Sequence, residues 1–301
     1  MGNVILLFLC MLIGILLRRY GRVPDNAHVA INGFIINVSL LALTLLQIHD
    51  IKLHSSLAYA VAMPWLLFLV AAGFFWGASK LFRFTPATTG GLILVAGLGN
   101  TSFVGLPMIE SFYGVNGMPV GILIDQLGTY LVLSTLGIAV AAFFSSGAAP
   151  SGSILRRICT FPPFIALLVS VLLLPVEYPA PMVTVLHRLG DTLAPLALVS
   201  VGLQLRFDQF SGIRVPLSLG ISFKLIVGPA LMTMVYVGLL RAAGDVVQIT
   251  LFESAMGPMI GGSIIAIQHG LNPPLITLLV GVGITASFLS LPVWWYVLQG
   301  I

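Results

Sequence analysis

Ten stretches of the chain stay apolar for about 20 residues before a charge or a turn residue interrupts them. At 1.5 Å per residue, that is the length a helix needs to cross a hydrocarbon core about 30 Å thick. They are Met1–Leu17, Val29–Ile48, Ser55–Leu81, Thr88–Tyr113, Met118–Phe144, Ile158–Leu174, Val183–Leu205, Val215–Leu240, Val246–His269 and Pro274–Leu298. Two of the runs are interrupted from within. The fourth holds Gly97-Leu98-Gly99-Asn100-Thr101-Ser102-Phe103-Val104-Gly105-Leu106-Pro107, and the ninth holds Glu253-Ser254-Ala255-Met256-Gly257-Pro258-Met259-Ile260-Gly261-Gly262. Gly and Pro weaken the helical ladder, and freed backbone groups survive at membrane depth only where protein or a watery cavity satisfies them. The pattern predicts an all-α polytopic membrane protein of ten transmembrane helices, the fourth and ninth broken.

Basic residues orient the spans. Arg18, Arg19, Arg22, Lys80, Arg83, Arg156, Arg157, Arg206 and Arg214 fall in one set of alternate loops, and only Lys52, Arg188 and Arg241 in the other. The richer set should be cytoplasmic, which puts both termini outside. Residues 145–157 form a linker that opens with Ser145-Ser146-Gly147-Ala148-Ala149-Pro150-Ser151-Gly152 and separates residues 1–144 from 158–301. Leu41-Ala42-Leu43 recurs as Leu196-Ala197-Leu198, and Tyr113-Gly114-Val115-Asn116 is echoed by His269-Gly270-Leu271-Asn272. Five spans per half is an odd number, so the second half enters the membrane upside down: a five-plus-five inverted repeat.

Composition narrows the function. Of 301 residues, 58% are hydrophobic and 7% charged, with a mean hydropathy of +1.10. A soluble domain carries about a quarter charged residues, which leaves no room for a large catalytic or nucleic-acid-binding module. Cys10 and Cys159 lie in apolar runs and predict free thiols rather than a disulfide framework. No His-Glu-x-x-His, Gly-x-Ser-x-Gly or phosphate-loop pattern is present, so neither an enzyme nor a resident metal or cofactor is expected.

The breaks mark the candidate site. Gly99 and Gly257 each lie about 11 residues into their spans, roughly 16 Å deep, so both breaks reach the midplane. Half-helix N-termini there offer unpaired N–H groups to an anion. Asn100, Thr101 and Ser102 are candidates to bind a substrate carboxylate; their competing role is to cap the broken ends or to bridge helices. Lys224, about 14 Å into the eighth span, would attract the anion or stand in for a coupling cation; otherwise it is half of a structural ion pair. Glu253, Asp125 and Asp191 are candidates to hold Na⁺ or a proton, against structural pairing or helix capping. Glu110, His28, His49, His54, His187 and His269 read as interfacial.

At these residues the chain resembles the auxin efflux carrier family, which spans bacterial organic-acid permeases and plant auxin carriers. Gly99-Asn100-Thr101 with Gly105-Leu106-Pro107 resembles the family's Pro-Asn-Thr…Gly-(Ile/Leu)-Pro signature. Ala255-Met256-Gly257-Pro258 with Ala266 and His269-Gly270 resembles its ninth-span signature, and Thr192-Leu193-Ala194-Pro195-Leu196-Ala197-Leu198 with Gly202 its seventh. Gly99 and Gly257 stand where the family usually has proline, as does Leu40 in the second span. The resemblance implies the fold of the bile-acid sodium symporters. There, spans 3–5 and 8–10 form a transport core that slides, elevator-like, against a panel of spans 1, 2, 6 and 7. Glu253 with Met256 also resembles the Glu-x-x-Met of that fold, whose carboxylate serves a sodium site.

The expectation is therefore a secondary transporter of small organic anions, carboxylates such as malonate and malate or auxin-like acids, in a bacterial inner membrane. Its substrate site comprises Gly99, Asn100, Thr101, Ser102, Gly257, Pro258 and Lys224, with Na⁺ or H⁺ as coupling ion at Glu253, Asp125 or Asp191. A homodimer through the panel helices is what the resemblance implies. The alternatives are a sodium-coupled symporter of a larger amphipathic anion and, behind it, an anion channel, whose flux would not saturate.

Overall fold

The computed structural model describes residues 2–49, 56–145, 160, 162–204 and 213–301. Most of the linker, with Arg156, Arg157 and Cys159, lies outside them, as do Lys52, His54 and Arg206. The helices are α1 (Gly2–Arg19), α2 (Ala27–Ile48), α3 (Leu57–Phe82), α4 (Pro86–Ala96), α5 (Leu106–Tyr113) and α6 (Val115–Phe144). They continue as α7 (Pro162–Leu172), α8 (Ala180–Gln204), α9 (Arg214–Leu239), α10 (Asp245–Ser254), α11 (Ile260–Gln268) and α12 (Pro273–Leu298). No strand forms among the described residues.

Six helices (α2, α3, α6, α8, α9 and α12) are long and apolar enough to cross a membrane. The protein is therefore a polytopic α-helical membrane protein. Six are fewer than ten apolar runs in part because two runs are broken, into α4 and α5 and into α10 and α11, and α7 has only 11 residues. The six begin and end within three residues of the hydrophobic pattern. The largest difference at α8 has a local cause. Pro179 and Pro181 set φ for the first turn, so α8 begins before its first long apolar residue. At α4, Pro86 takes the first helical position and the Thr85 hydroxyl accepts the Thr88 N–H at 3.2 Å.

The chain divides into two units. The first comprises Met1–His54, Ser102–Ile122 and Leu155–Leu205, and so holds α1, α2, α5, α7 and α8. Its closest contact is between α1 and α8. A β-carbon at Gly14 would stand 2.2 Å from the Val199 carbonyl, and one at Gly202 2.2 Å from the Met11 carbonyl. Two bare Cα atoms let the backbones meet, the small-residue packing that substitutes for hydrophobic drive in lipid. Hydroxyls tie the rest: Ser39 to Thr192 at 2.7 Å, Ser170 to the Leu45 carbonyl at 3.3 Å, and Ser200 to Asn32. Cys10 is a buried free thiol.

The second unit comprises Ser55–Thr101, Leu123–Ile154 and Arg206–Ile301. Its centre is α4, buried on every side from Thr88 to Ala96. Such a helix has no lipid face. Around it the Tyr236 hydroxyl donates to the Tyr59 carbonyl at 2.8 Å, the Trp294 indole to the Leu225 carbonyl at 2.7 Å, and Phe74, Phe75 and Phe223 pack ring to ring. By contrast α12 exposes Leu289, Val293 and Val297, and α7 exposes Ile165, Leu168 and Leu172. Apolar faces of this kind belong against lipid tails.

The α1–α8 crossing yields a first prediction. Gly202→Val forces a side chain into the Met11 carbonyl, and overpacking of this kind costs about 1–3 kcal/mol. The expected result is a lower thermal midpoint in detergent, with Gly33→Val, where a β-carbon meets nothing within 4 Å, as the unaffected control.

Candidate functional site

The two helix breaks pair with each other. At its end α4 keeps one more helical bond, from the Gly97 N–H to the Ile93 carbonyl at 3.1 Å. At the other break, α10 tightens its last turn, with Ala255 N–H bonding Phe252 and Met256 N–H bonding Glu253, each at 3.1 Å. Between the two breaks Gly99 and Pro258 form an isolated antiparallel bridge. The Asn100 N–H donates to the Gly257 carbonyl at 2.8 Å, and the Met259 N–H to the Val95 carbonyl at 3.3 Å. Backbone groups freed by one break are thus satisfied by the other.

Charged side chains gather at this crossing. Lys224 sits on a π-helical turn of α9, Phe223–Val227, fully buried, and its Nζ donates to the Ser254 carbonyl at 2.9 Å. That carbonyl closes α10, where the helix dipole presents partial negative charge, so the ammonium caps the broken end. Glu253, also fully buried, has neither carboxylate oxygen hydrogen-bonded among the described residues. Asp125 lies on a π-helical turn of α6, Ile124–Thr129, and its Oδ1 accepts the Thr101 hydroxyl at 2.6 Å.

Gly99, Thr101, Thr129, Lys224 and Glu253 line one small cavity of about 10 Å³, closed on its apolar side by Met63, Pro64 and Leu67. Of the residues expected from the sequence, Gly99, Asn100, Thr101, Asp125, Lys224, Glu253, Gly257 and Pro258 all belong to the second unit; Gly99 and Pro258 take part through the backbone bridge, and Thr101, Asp125, Lys224 and Glu253 bring their side chains. Asn100 is buried and joins through its N–H, and Gly257 through its carbonyl. Ser102, on the π-helical turn Thr101–Gly105, falls in the first unit and is half-buried. Asp191 also falls in the first unit. There it borders a cavity of about 50 Å³ with Gln47, Glu110 and His187, rather than joining the cluster at the crossing.

Sequence reading passed over Gln126, Thr129 and Ser254, all buried in the second unit. Thr129 had a signal: four positions after Asp125, it shares that residue's helical face. Ser254 acts through its carbonyl, which no side-chain pattern reveals.

Removing one charge of the cluster should cost more than removing two. Lys224→Met leaves buried carboxylate without its cation, a loss of about 3–5 kcal/mol for a broken buried pair. Lys224→Met with Glu253→Gln should recover most of it, as read by thermal midpoints of the purified proteins.

The chain is 26% identical to an uncharacterized transporter of Methanocaldococcus jannaschii, over 99% of this chain and 98% of that one. It is 25% identical to an uncharacterized transporter of Methanothermobacter thermautotrophicus, over 98% of this chain and 97% of that one. Residues 1–295 match the family described as membrane transport protein. The chain belongs to this family of auxin efflux carrier-type transporters, and is a multi-pass membrane transporter rather than an enzyme.

Proposed function

We propose that the protein is a secondary active transporter of small organic anions, mono- or dicarboxylates such as malonate, malate or auxin-like acids. The observation that carries this reading is the paired helix break at Gly99 and Pro258 with a fully buried lysine against it. A carboxylate substrate needs hydrogen-bond donors and positive charge in a place shielded from water. Asn100 offers an amide donor, Thr101 a hydroxyl that would first have to turn from Asp125, Lys224 the charge, and the first turn of α11 offers N–H groups that have no partner within their own helix. Ser102, Gly257 and Pro258 complete the proposed site.

Charge supports coupling to a cation or proton. Among the described residues, the buried charged ones are one base, Lys224, and two acids, Asp125 and Glu253. With all three ionised the interior is negative before any anion arrives. A proton or a monovalent cation taken up at Glu253 or Asp125 would offset this; Asp191, in the first unit, is the weaker candidate. The Glu253 carboxylate, with no hydrogen bond among the described residues, also favours the second reading, a sodium-coupled symporter of a larger amphipathic anion.

The proposed architecture is the ten-span inverted repeat, with spans 1, 2, 6 and 7 as panel and spans 3–5 and 8–10 as a transport core moving in elevator fashion. The basic loops support cytoplasmic placement of Arg18, Lys80 and Arg214, with both termini outside, in a bacterial inner membrane. A homodimer through the panel helices belongs to the same proposal.

The test is uptake of labelled malonate, malate and an indole acid into proteoliposomes under imposed Na⁺ or H⁺ gradients. Saturable accumulation that falls at least tenfold in Asn100→Ala is expected, with gradient dependence lost in Glu253→Gln. Unchanged transport by Asn100→Ala would move the site elsewhere, and flux that does not saturate would mean a channel.

A further inference from the structure

We propose that Trp294 is a positioning residue of the crossing: its indole N–H holds the π-helical turn that carries Lys224, and Trp65 does the same for the turn that carries Asp125. This rests on the crossing being the transport site. The π-helical turn of α9 is Phe223–Val227, and at its end the Gly228 N–H bonds the Phe223 carbonyl, five residues back. The next residue is Pro229, which has no N–H to give. In a regular helix that N–H would serve the Leu225 carbonyl, four residues before it. The Leu225 carbonyl instead accepts the Trp294 indole N–H, from α12, at 2.7 Å. A side chain thus supplies the donor that the backbone lacks, one residue after Lys224.

The turn of α6 is built alike. After Ile124–Thr129 the Tyr130 N–H bonds the Asp125 carbonyl, again five residues back. The Trp65 indole, from α3, donates to the Leu127 carbonyl at 3.3 Å, two residues after Asp125. Each tryptophan stands close behind a proline inside its own helix, Pro64 in α3 and Pro292 in α12. All of these residues belong to the second unit.

The indole bond reaches the site through the helix face. A π-helical turn holds one residue more than an α-helical turn and so decides which side each later and earlier residue takes. Without the Trp294 N–H the Leu225 carbonyl has lost both its chain donor and its side-chain donor, and the turn relieves this by slipping. A slip of one residue rotates Lys224 by about 100° around α9. That rotation takes its Nζ away from the Ser254 carbonyl, which it bonds at 2.9 Å. On α6 the same slip draws Asp125 from the Thr101 hydroxyl, at 2.6 Å.

Thermal midpoints of the purified full-length chain in detergent, read as a double-mutant cycle, test this without a substrate. Trp294→Phe keeps an aromatic ring and removes the N–H, and it should lower the wild-type midpoint by roughly 4 °C. In Lys224→Met the same substitution should cost less than half as much, because the residue it positions is gone. Lys224→Met/Glu253→Gln serves as the background should Lys224→Met not fold. Trp65→Phe should behave likewise against Asp125→Asn, and Trp76→Phe, at an exposed ring, is the control with equal shifts in every background. A bond that is merely structural costs the same with or without the charge, so equal shifts in either cycle overturn the assignment of that tryptophan. In the uptake assay Trp294→Phe should raise the half-saturating acid concentration at least fivefold. Pro229→Ala/Trp294→Phe gives Leu225 a donor from the chain again, so it should melt near the wild type yet keep the raised value. Recovery of both would mean that the carbonyl needed only a partner, and the proposal would fall. Were the wild type to take up no acid, the substrate reading would fail while the melting cycles still decide this one.

Discussion

A helix that stops halfway through a bilayer leaves backbone N–H and C=O groups that lipid cannot satisfy, each a cost of several kcal/mol. This protein meets that constraint by stopping two helices at the same place. The bridge between Gly99 and Pro258 and the bond from Asn100 to Gly257 join the breaks directly. Proline needs no partner for a missing N–H, and glycine admits the close approach of a second backbone. What remains is the cut end of α10, and there the Lys224 ammonium bonds the Ser254 carbonyl. The burial of a lysine and the termination of a helix are therefore one problem with one solution.

The side chains at the crossing stand on irregular helix. Asp125 and Lys224 each lie on a π-helical turn, where an extra residue per turn shifts the helical faces relative to one another. A regular α9 would have to keep one face to lipid and one to protein along its whole length. The shifted turn lets Ile226 remain exposed while Lys224, two positions earlier, is wholly enclosed. Opposite it, Glu253 comes from the last turn of α10, so the charges reach the crossing from three different helices.

Much of this was legible because charge and helix breakers are conspicuous in an apolar chain. The six long helices follow the hydrophobic runs, since each run had to bury or lipidate a whole helix length. The breaks were readable from Gly99, Gly257 and Pro258, and Lys224, Glu253 and Asp125 from their depth. Hydroxyl residues were legible only inside the break, at Thr101 and Ser102. Thr135, Thr233, Thr250 and Thr285 each bond the carbonyl four residues earlier, so a threonine in an apolar run is satisfied locally without marking a site. Thr101 differs only in donating across to Asp125, and Thr129 only in facing the cavity. Asp191 shows the converse limit. Its letter is as conspicuous as that of Asp125, but periodicity says nothing of which unit a helix joins.

Lysine rather than arginine suits the crossing for a geometric reason. Arginine presents a planar fork of five donors that wants two parallel acceptors, whereas lysine is a compact charge on a flexible stem. The cut end of α10 offers a single carbonyl to the ammonium, and the cavity beside it, about 10 Å³, has room for at most one water molecule. A guanidinium would leave most of its donors without acceptors in a space too small for it. A second acid nearby, Asp125, is held by the Thr101 hydroxyl, on the strand of backbone that forms the crossing itself. Any change in the charge of Asp125 therefore pulls on the Gly99–Thr101 segment, and through it on the place where a carboxylate substrate would bind. In the proposed transporter, that short path couples the neutralisation of an acid to the shape of the site.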